Sequence, residues 1–423
     1  MDWFISPLED KALSGSISIP GDKSISHRAH MLLAISEGEA SIQGALRSED
    51  VAATEAAISK IFSTNEFSNG EFIECDCGNS GTTIRLLMGL LSAGAHKVRL
   101  TGDESLTKRP MERVAKPLRE LGANIETSDG TPPVEICGGE LTGANISVPI
   151  ASAQIKSALL LAGLGAKGET RITMPGSSRD HTERMLKYLG AKVDVIDGGS
   201  IVAIQGGQKL IAVDIDVPGD ISSAAFFIVA GLIVPQSSIK LMNVGTNHSR
   251  TGILTVIERS GSNTVVRINE REECGELRAD LSVSATSYNG FSVLPEEIPS
   301  LIDEIPILAL YAALSEEGDS KFVGAQELKV KETNRMAAII EEFDSIGLSA
   351  TCHGDDLHVP GGQVVEGGSI ESRGDHRIAM MGAIAGLVSE NGIRVKNVEC
   401  VETSFPGFAQ LLVDIGAKVE ELH

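Results

Sequence analysis

An α/β protein of two lobes, each assembled from three βαβαββ-like units, is the fold the sequence predicts. One pattern recurs six times along the 423 residues: a polar start, an apolar helix, a Gly-centred turn and a short β-branched strand. The copies stand roughly 70 residues apart, too far for a solenoid repeat and suited to a βαβαββ unit. Hydrophobic residues make up 42% of the chain, enough to bury cores in two domains.

The first copy opens at Pro20 to Met31, where a Pro-Gly turn leads into Asp22 or Ser24 as a helix cap. The apolar face then runs through Leu32, Leu33 and Ile35. The remaining copies start near Ser80, Ser152, Ser222, Asp303 and Asp375, and each ends in a turn such as Glu37-Gly38-Glu39 or Lys167-Gly168-Glu169. Pro218-Gly219-Asp220 repeats Pro20-Gly21-Asp22, again just before a Ser-started helix.

A second helix follows in most copies and stops at a glycine. Residues 113–121 end at Gly122, 183–189 at Gly190, 336–346 at Gly347 and 408–415 at Gly416. Strand-like runs at 146–148 and 357–359 close several units. The stretches 158–164 and 224–234 are apolar on nearly every side, so they are expected inside a lobe, wrapped by sheet. The longest apolar run is far short of the about 20 residues that cross a bilayer. Residues 261–288 carry mixed charge and no clear period.

Chemistry gathers at the helix starts. Lys23, Ser24 and Arg28 combine cations and a hydroxyl with the free amides of a helix N-terminus, which suits a phosphate or carboxylate. Read alone, the stretch is a capped helix with solvated charges. Cys77 to Thr83, with Asn79, Gly81 and Arg85, is a Gly-bounded helix start able to offer amides to an anion. Lys108, Arg109 and Arg113 sit where a helix dipole disfavours cations, a placement that a bound anion explains. Ser152-Ala153-Gln154-Ile155-Lys156 offers hydroxyl, amide and ammonium groups. Lys331 to Arg335 and Arg373 to Arg377, which includes His376, open further helices.

Asp303 and Glu304 lie inside an apolar run, where a carboxylate is costly unless it is paired or lines a cleft. Near Lys or Arg such a group is a candidate general base, and Asp303 is preferred because its neighbour points elsewhere.

The formal net charge of -22 disfavours nucleic acid and anionic membranes as partners, so any anion must be met locally. Aromatics at 4% argue against base stacking. Six scattered cysteines without a Cys-x-x-Cys pair, and an N-terminus without a signal pattern, suggest reduced thiols and a cytoplasmic protein. An acidic protein with cations at equivalent helix starts is expected to bind a small, multiply anionic substrate in a basic cleft.

At Pro20 to Arg28, Gly78 to Arg85, Arg109-Pro110-Met111, Ser152-Ala153-Gln154, Lys331 to Arg335 and Asp375-His376-Arg377 the chain closely resembles the enolpyruvyltransferase family, in its branch acting on shikimate 3-phosphate. The motifs span almost the whole chain in the family's order. The resemblance implies an inside-out α/β barrel of two lobes with the active site in the interlobe cleft. One lobe is 1–19 plus 222–423, the other 20–221, with crossings near Pro20 and 218–223. It implies enolpyruvyl transfer from phosphoenolpyruvate to the shikimate 5-hydroxyl in a shikimate pathway leading to aromatic amino acids, through a tetrahedral intermediate. A monomer is expected, with no metal and no organic cofactor.

Carried over by position, the resemblance implies that Lys23, Ser24, Arg28, Ser152, Ala153, Gln154, Arg179, Asp303 and Lys331 contact shikimate 3-phosphate. Lys23, Asn79, Gly81, Arg109, Gln154, Arg335 and Arg377 form the phosphoenolpyruvate set. Asp303 resembles the base on the attacking hydroxyl and Glu332 the group exchanging a proton at the methylene. Lys23 and His376 complete the catalytic set.

Several positions depart from the family pattern. Ser404-Phe405-Pro406 stands where many members have Lys in a Lys-Thr-Phe-Pro stretch, Asn334 where Asp is usual, and His27 where Asn is common. Arg109 to Arg113 and Ser152 to Lys156 resemble a second class often tolerant of glyphosate, yet Gly81 is kept where some tolerant members carry Ala. The rivals are the sister transferase acting on UDP-N-acetylglucosamine, and a non-enzymatic or nucleic-acid-acting relative of similar fold. The sister enzyme has a Lys-Asn pair near its N-terminus and a loop Cys, whereas here Ser24 follows Lys23 and no Cys lies just before Arg109.

Overall fold

The computed structural model describes residues 1–8, 11–63 and 71–422. The chain forms two compact units: one comprises Met1–Pro20, Pro218–Glu272 and Leu277–His423, the other Gly21–Val217 and Glu273–Glu276. Pro20 and residues 218–221 go with the first unit, not with 20–221 as the sequence division has them. The reason is local pairing: the Asp220 amide donates to the Pro20 carbonyl at 2.9 Å, and Gly219 bridges Val244.

Each unit holds three sheets among the described residues. Five have four strands in one arrangement, a parallel pair continued by antiparallel neighbours. In the second unit, Ile73–Asp76 runs parallel to Lys97–Thr101, which pairs antiparallel with Thr131–Cys137, and that with Asn124–Ser128. The sixth sheet is reduced to Ile42–Gln43 beside Ile215–Asp216. In the first unit, Asp2–Ser6 enters the sheet of residues 368–422, pairing with Ile393–Lys396 and Lys418–Leu422.

A separate hydrophobic core lies in each unit. The first wraps the Ile221–Ile233, Ile305–Ala313 and His376–Leu387 helices, which are buried on almost every side. The second wraps the Gly81–Leu90 and Ala153–Leu164 helices. These two pack backbone to backbone at Gly89, where an added Cβ would lie 2.1 Å from the Ala158 carbonyl oxygen. Among the described residues no helix is long and apolar enough to cross a membrane.

Helix starts follow the short polar side chains before each apolar run, with three shifts. The fourth copy begins at Ile221 under an Asp220 cap, not at Ser222. The fifth begins at Ile305, because Pro306 favours the first turn and leaves Asp303 in the turn after Leu301. Lys331 precedes its helix, which starts at Arg335 under an Asn334 cap. Residues 261–288 form a long hairpin, Val265–Glu273 and Glu276–Ser284.

Candidate active site

In the second unit, Asp22 caps the Lys23–Ala34 helix, its carboxylate accepting from the Ile25 amide at 2.9 Å. Lys23 Nζ, at the first position, meets Asp50 Oδ2 at 3.1 Å. One turn on, Arg28 lies among hydroxyls: Nε donates to Thr182 Oγ1 at 2.7 Å, one terminal nitrogen to Ser157 Oγ at 2.8 Å and the other to the Ser24 carbonyl at 2.8 Å. Those bonds use three of the five N–H groups of a guanidinium, leaving two to donate elsewhere. Burial pushes Arg28 down to about 10, although Asp22 and Glu183 oppose it and the nearby Arg179 adds to it. Arg179 itself is half-buried, between the Glu169–Thr173 strand and the His181–Tyr188 helix.

Ser80 caps the Gly81–Leu90 helix by accepting from the Thr83 amide at 3.2 Å, which leaves the Gly81 and Thr82 amides for an external acceptor. Arg109 is held beside this start: it donates to Asn79 Oδ1 at 2.6 Å, and Asn79 Nδ2 in turn donates to Asp103 at 2.6 Å. Arg85 donates to Gln154 Oε1 at 2.7 Å, and Gln154 Nε2 to Thr82 Oγ1 at 3.2 Å. Gly81 lies against both guanidiniums, since a Cβ there would stand 3.1 Å from Arg109 and 3.2 Å from Arg85. Ser152 caps the Ala153–Leu164 helix, so Ala153 and Gln154 form its first turn. Lys156 is not at the helix start's open face: it is fully buried, paired with Glu183 at 2.6 Å.

In the first unit, Arg335 is the centre of a carboxylate cluster. Asp303 Oδ1 receives Arg335 at 3.2 Å and Lys331 Nζ at 3.3 Å, while Glu332 Oε2 receives Arg335 at 2.6 Å. Asp375 takes Arg335 on both its oxygens, at 2.8 and 3.3 Å, and caps the His376–Leu387 helix by accepting from the Arg377 amide. The Arg377 side chain donates to the Asp303 carbonyl at 3.1 Å. Arg335 is 1% exposed, and burial alone would lower its proton affinity; the charges of Asp375, Glu332 and Asp303 outweigh this and raise it above the ordinary arginine value. Asp303, Lys331 and Glu332 are half-buried, whereas Glu304 is wholly enclosed and bonded to Ser222. His376 is buried at the first position of its helix. Ser404 is buried in the first unit.

The sequence-predicted residues thus gather into two groups, one in each unit. The groups that orient them went unread: Asp50, Thr182 and Glu183 lie in first turns of other helices and Ser157 further along its own, with no local signal of the contact, while the cap role of Asp375 could have pointed to its grip on Arg335. Chemically, both groups present oriented cations suited to anions, and the group in the first unit adds two half-buried carboxylates suited to proton transfer. Among the described residues no His, Cys, Asp and Glu side chains are grouped to hold a metal.

The family model for EPSP synthase (3-phosphoshikimate 1-carboxyvinyltransferase) matches residues 8–412. A curated relative from Bacillus cytotoxicus, named 3-phosphoshikimate 1-carboxyvinyltransferase, is 43% identical across 96% of this chain and 99% of its own. A relative of the same name from Coxiella burnetii is 42% identical across 99% and 98%. A solved EPSP synthase structure from Acinetobacter baumannii superposes with a TM-score of 0.86 at 40% identity, covering 99% of this chain and 100% of that one. With the match running through both units, the chain belongs to the EPSP synthase (3-phosphoshikimate 1-carboxyvinyltransferase) family.

Proposed function

We propose that the chain transfers the enolpyruvyl group of phosphoenolpyruvate to the 5-hydroxyl of shikimate 3-phosphate, giving 5-enolpyruvylshikimate 3-phosphate and phosphate. The observation that carries the assignment of roles is the Asp303 carboxylate, half-buried between Lys331 and Arg335 with Glu332 on the same guanidinium. Lys331 and Arg335 on its two sides fix the direction of the Asp303 carboxylate, as a positioned base requires.

In this reading Asp303 takes the proton of the 5-hydroxyl as its oxygen bonds to C2, while Glu332 delivers a proton to C3. The C2–O bond to phosphate then breaks, C3 returns its proton to Glu332 as the double bond re-forms, and the proton held by Asp303 leaves with the phosphate. Lys23 bridges both substrates, and His376 is a further candidate for proton transfer. Ser24, Arg28, Ser152, Ala153, Gln154, Arg179 and Lys331 hold shikimate 3-phosphate. Asn79, Gly81, Arg109, Arg335 and Arg377, with Gln154 shared, hold phosphoenolpyruvate. Arg28 supports this through its two undirected N–H groups, which suit a carboxylate or phosphate. The enzyme is taken to act as a monomer in the cytoplasm; the free thiols of all six cysteines support that compartment.

Phosphate release from phosphoenolpyruvate, measured with shikimate 3-phosphate or UDP-N-acetylglucosamine as acceptor, tests the reading. Release with the shikimate acceptor alone, lost in Lys23→Ala, is expected. Release with the sugar nucleotide alone overturns the substrate assignment.

A further inference from the structure

We propose that a buried hydrogen-bond chain, His27–Thr54–Thr83–Ser80, positions the start of the Gly81–Leu90 helix and so the phosphoenolpyruvate-binding amides. His27 Nδ1 meets Thr54 Oγ1 at 2.7 Å, Thr54 Oγ1 meets Thr83 Oγ1 at 2.6 Å, and Thr83 Oγ1 donates to Ser80 Oγ at 2.7 Å. The alternative acceptor for Thr83, the Asp50 carbonyl, is farther at 3.5 Å. All four side chains are enclosed. This inference rests on the reading of Asn79, Gly81 and Arg109 as phosphoenolpyruvate ligands.

The direction of the chain follows from its closed end. Among the described residues His27 Nε2 is buried with no hydrogen-bond partner. If Nε2 carried the proton, a buried donor would be stranded; with the proton on Nδ1, only a lone pair goes unused, the smaller loss. Burial, reinforced by Lys23 and Arg28, pushes the imidazole well below 6.5, so the ring is neutral and carries one proton. Nδ1–H therefore donates to Thr54, Thr54 to Thr83 and Thr83 to Ser80.

Ser80 Oγ then receives two donors from one residue, the Thr83 hydroxyl at 2.7 Å and the Thr83 amide at 3.2 Å. A cap oxygen held at both points has one rotamer, and the turn carrying Asn79 and Gly81 is fixed with it. His27 and Thr54 thus act through Ser80 as positioning residues; neither touches substrate. What position 27 must supply is an N–H donor, so Asn can replace His there and an aliphatic side chain cannot.

The test is Thr54→Val, which keeps the shape and removes the link, beside Thr54→Ser, which restores it, and His27→Leu beside His27→Asn. With wild-type protein active, Thr54→Val and His27→Leu are expected to raise KM for phosphoenolpyruvate about tenfold, with KM for shikimate 3-phosphate within about twofold. Thr54→Ser and His27→Asn return it to near wild type. A parallel rise in both KM values, no rise, or no rescue overturns the proposal. Ser80→Ala, at the far end of the chain, carries the same expectation if the Val variant fails to fold. Hydrogen exchange of the Thr83 amide, which Ser80 Oγ accepts, reads the chain without activity: it should quicken about tenfold in Thr54→Val, and unchanged exchange overturns the proposal even if the enzymatic reading itself fails.

Discussion

Arg335 and Asp375 grip each other through both carboxylate oxygens, Nε to Oδ2 at 2.8 Å and a terminal nitrogen to Oδ1 at 3.3 Å, with both side chains almost wholly buried. The same carboxylate caps the His376–Leu387 helix. One acid therefore sets the direction of Arg335 and the start of the helix bearing Arg377.

Asp375→Asn keeps a side-chain oxygen for the cap and removes the charge. Breaking one partner of a buried pair strands the other, at a cost of about 3 kcal/mol, and Glu332 and Asp303 remain to hold part of Arg335 in place. The expected outcome is a lower denaturation midpoint together with a raised KM for phosphoenolpyruvate. An unchanged midpoint would show that the other two carboxylates suffice.

Gly81→Ala tests the space at the other helix start. The new methyl stands 3.1 Å from an Arg109 nitrogen and 3.2 Å from an Arg85 nitrogen, both far ends of flexible side chains. They can yield by a few tenths of an ångström, and the backbone is not in the left-handed region, so stability should hold. The shifted guanidiniums should raise KM for phosphoenolpyruvate about tenfold, since one mis-set charge-assisted hydrogen bond is worth roughly 1.5 kcal/mol. Steady-state kinetics beside a thermal melt separates the two effects.

Much of the fold was legible because short polar caps precede apolar runs. Asp22, Ser80, Ser152 and Asp375 each stand one residue before a buried helix. The hairpin of Val265–Glu273 was not legible, because that strand is exposed along nearly its whole length and shows no alternation. Among site residues, cations at helix starts announced themselves, whereas their partners did not. Thr182 and Ser157 orient Arg28 from more than a hundred residues away, and nothing near either residue marks that contact. Lys156 misled for the opposite reason: it sits in a first turn beside Ala153 and Gln154, yet Glu183 on another helix draws it into the core.

His27 predicts a pH effect on stability. Burial, with Lys23 and Arg28 adding to it, pushes its imidazole well below the ordinary 6.5. Below pH 6.5 the unfolded chain binds a proton here that the folded chain refuses, so stability rises with pH through this window and is lost on acidification. The slope from this residue is at most about 1.4 kcal/mol per pH unit. His27→Asn removes it. Denaturation midpoints at pH 7.5 and 5.5 should therefore fall further for the wild type than for the variant; equal losses would mean that His27 does not titrate on unfolding.

Asp303 separates binding from chemistry. Its carboxylate is flanked by Lys331 at 3.3 Å and Arg335 at 3.2 Å, and its main-chain carbonyl anchors Arg377 at 3.1 Å. Asp303→Ala removes the proposed base and leaves the carbonyl, so Arg377 keeps its anchor and Arg335 keeps Asp375 and Glu332. Two cations lose a neutralising neighbour, which should hold or strengthen the binding of anionic substrates. Turnover should fall about 100-fold or more, the scale of a lost general base, with KM values near those of the wild type. Asp303→Asn preserves the shape but cannot accept the hydroxyl proton, and it should be equally slow. If Asn restores turnover where Ala does not, the side chain orients Lys331 and Arg335 and the proton goes elsewhere, with Glu332 the next carboxylate on the same guanidinium.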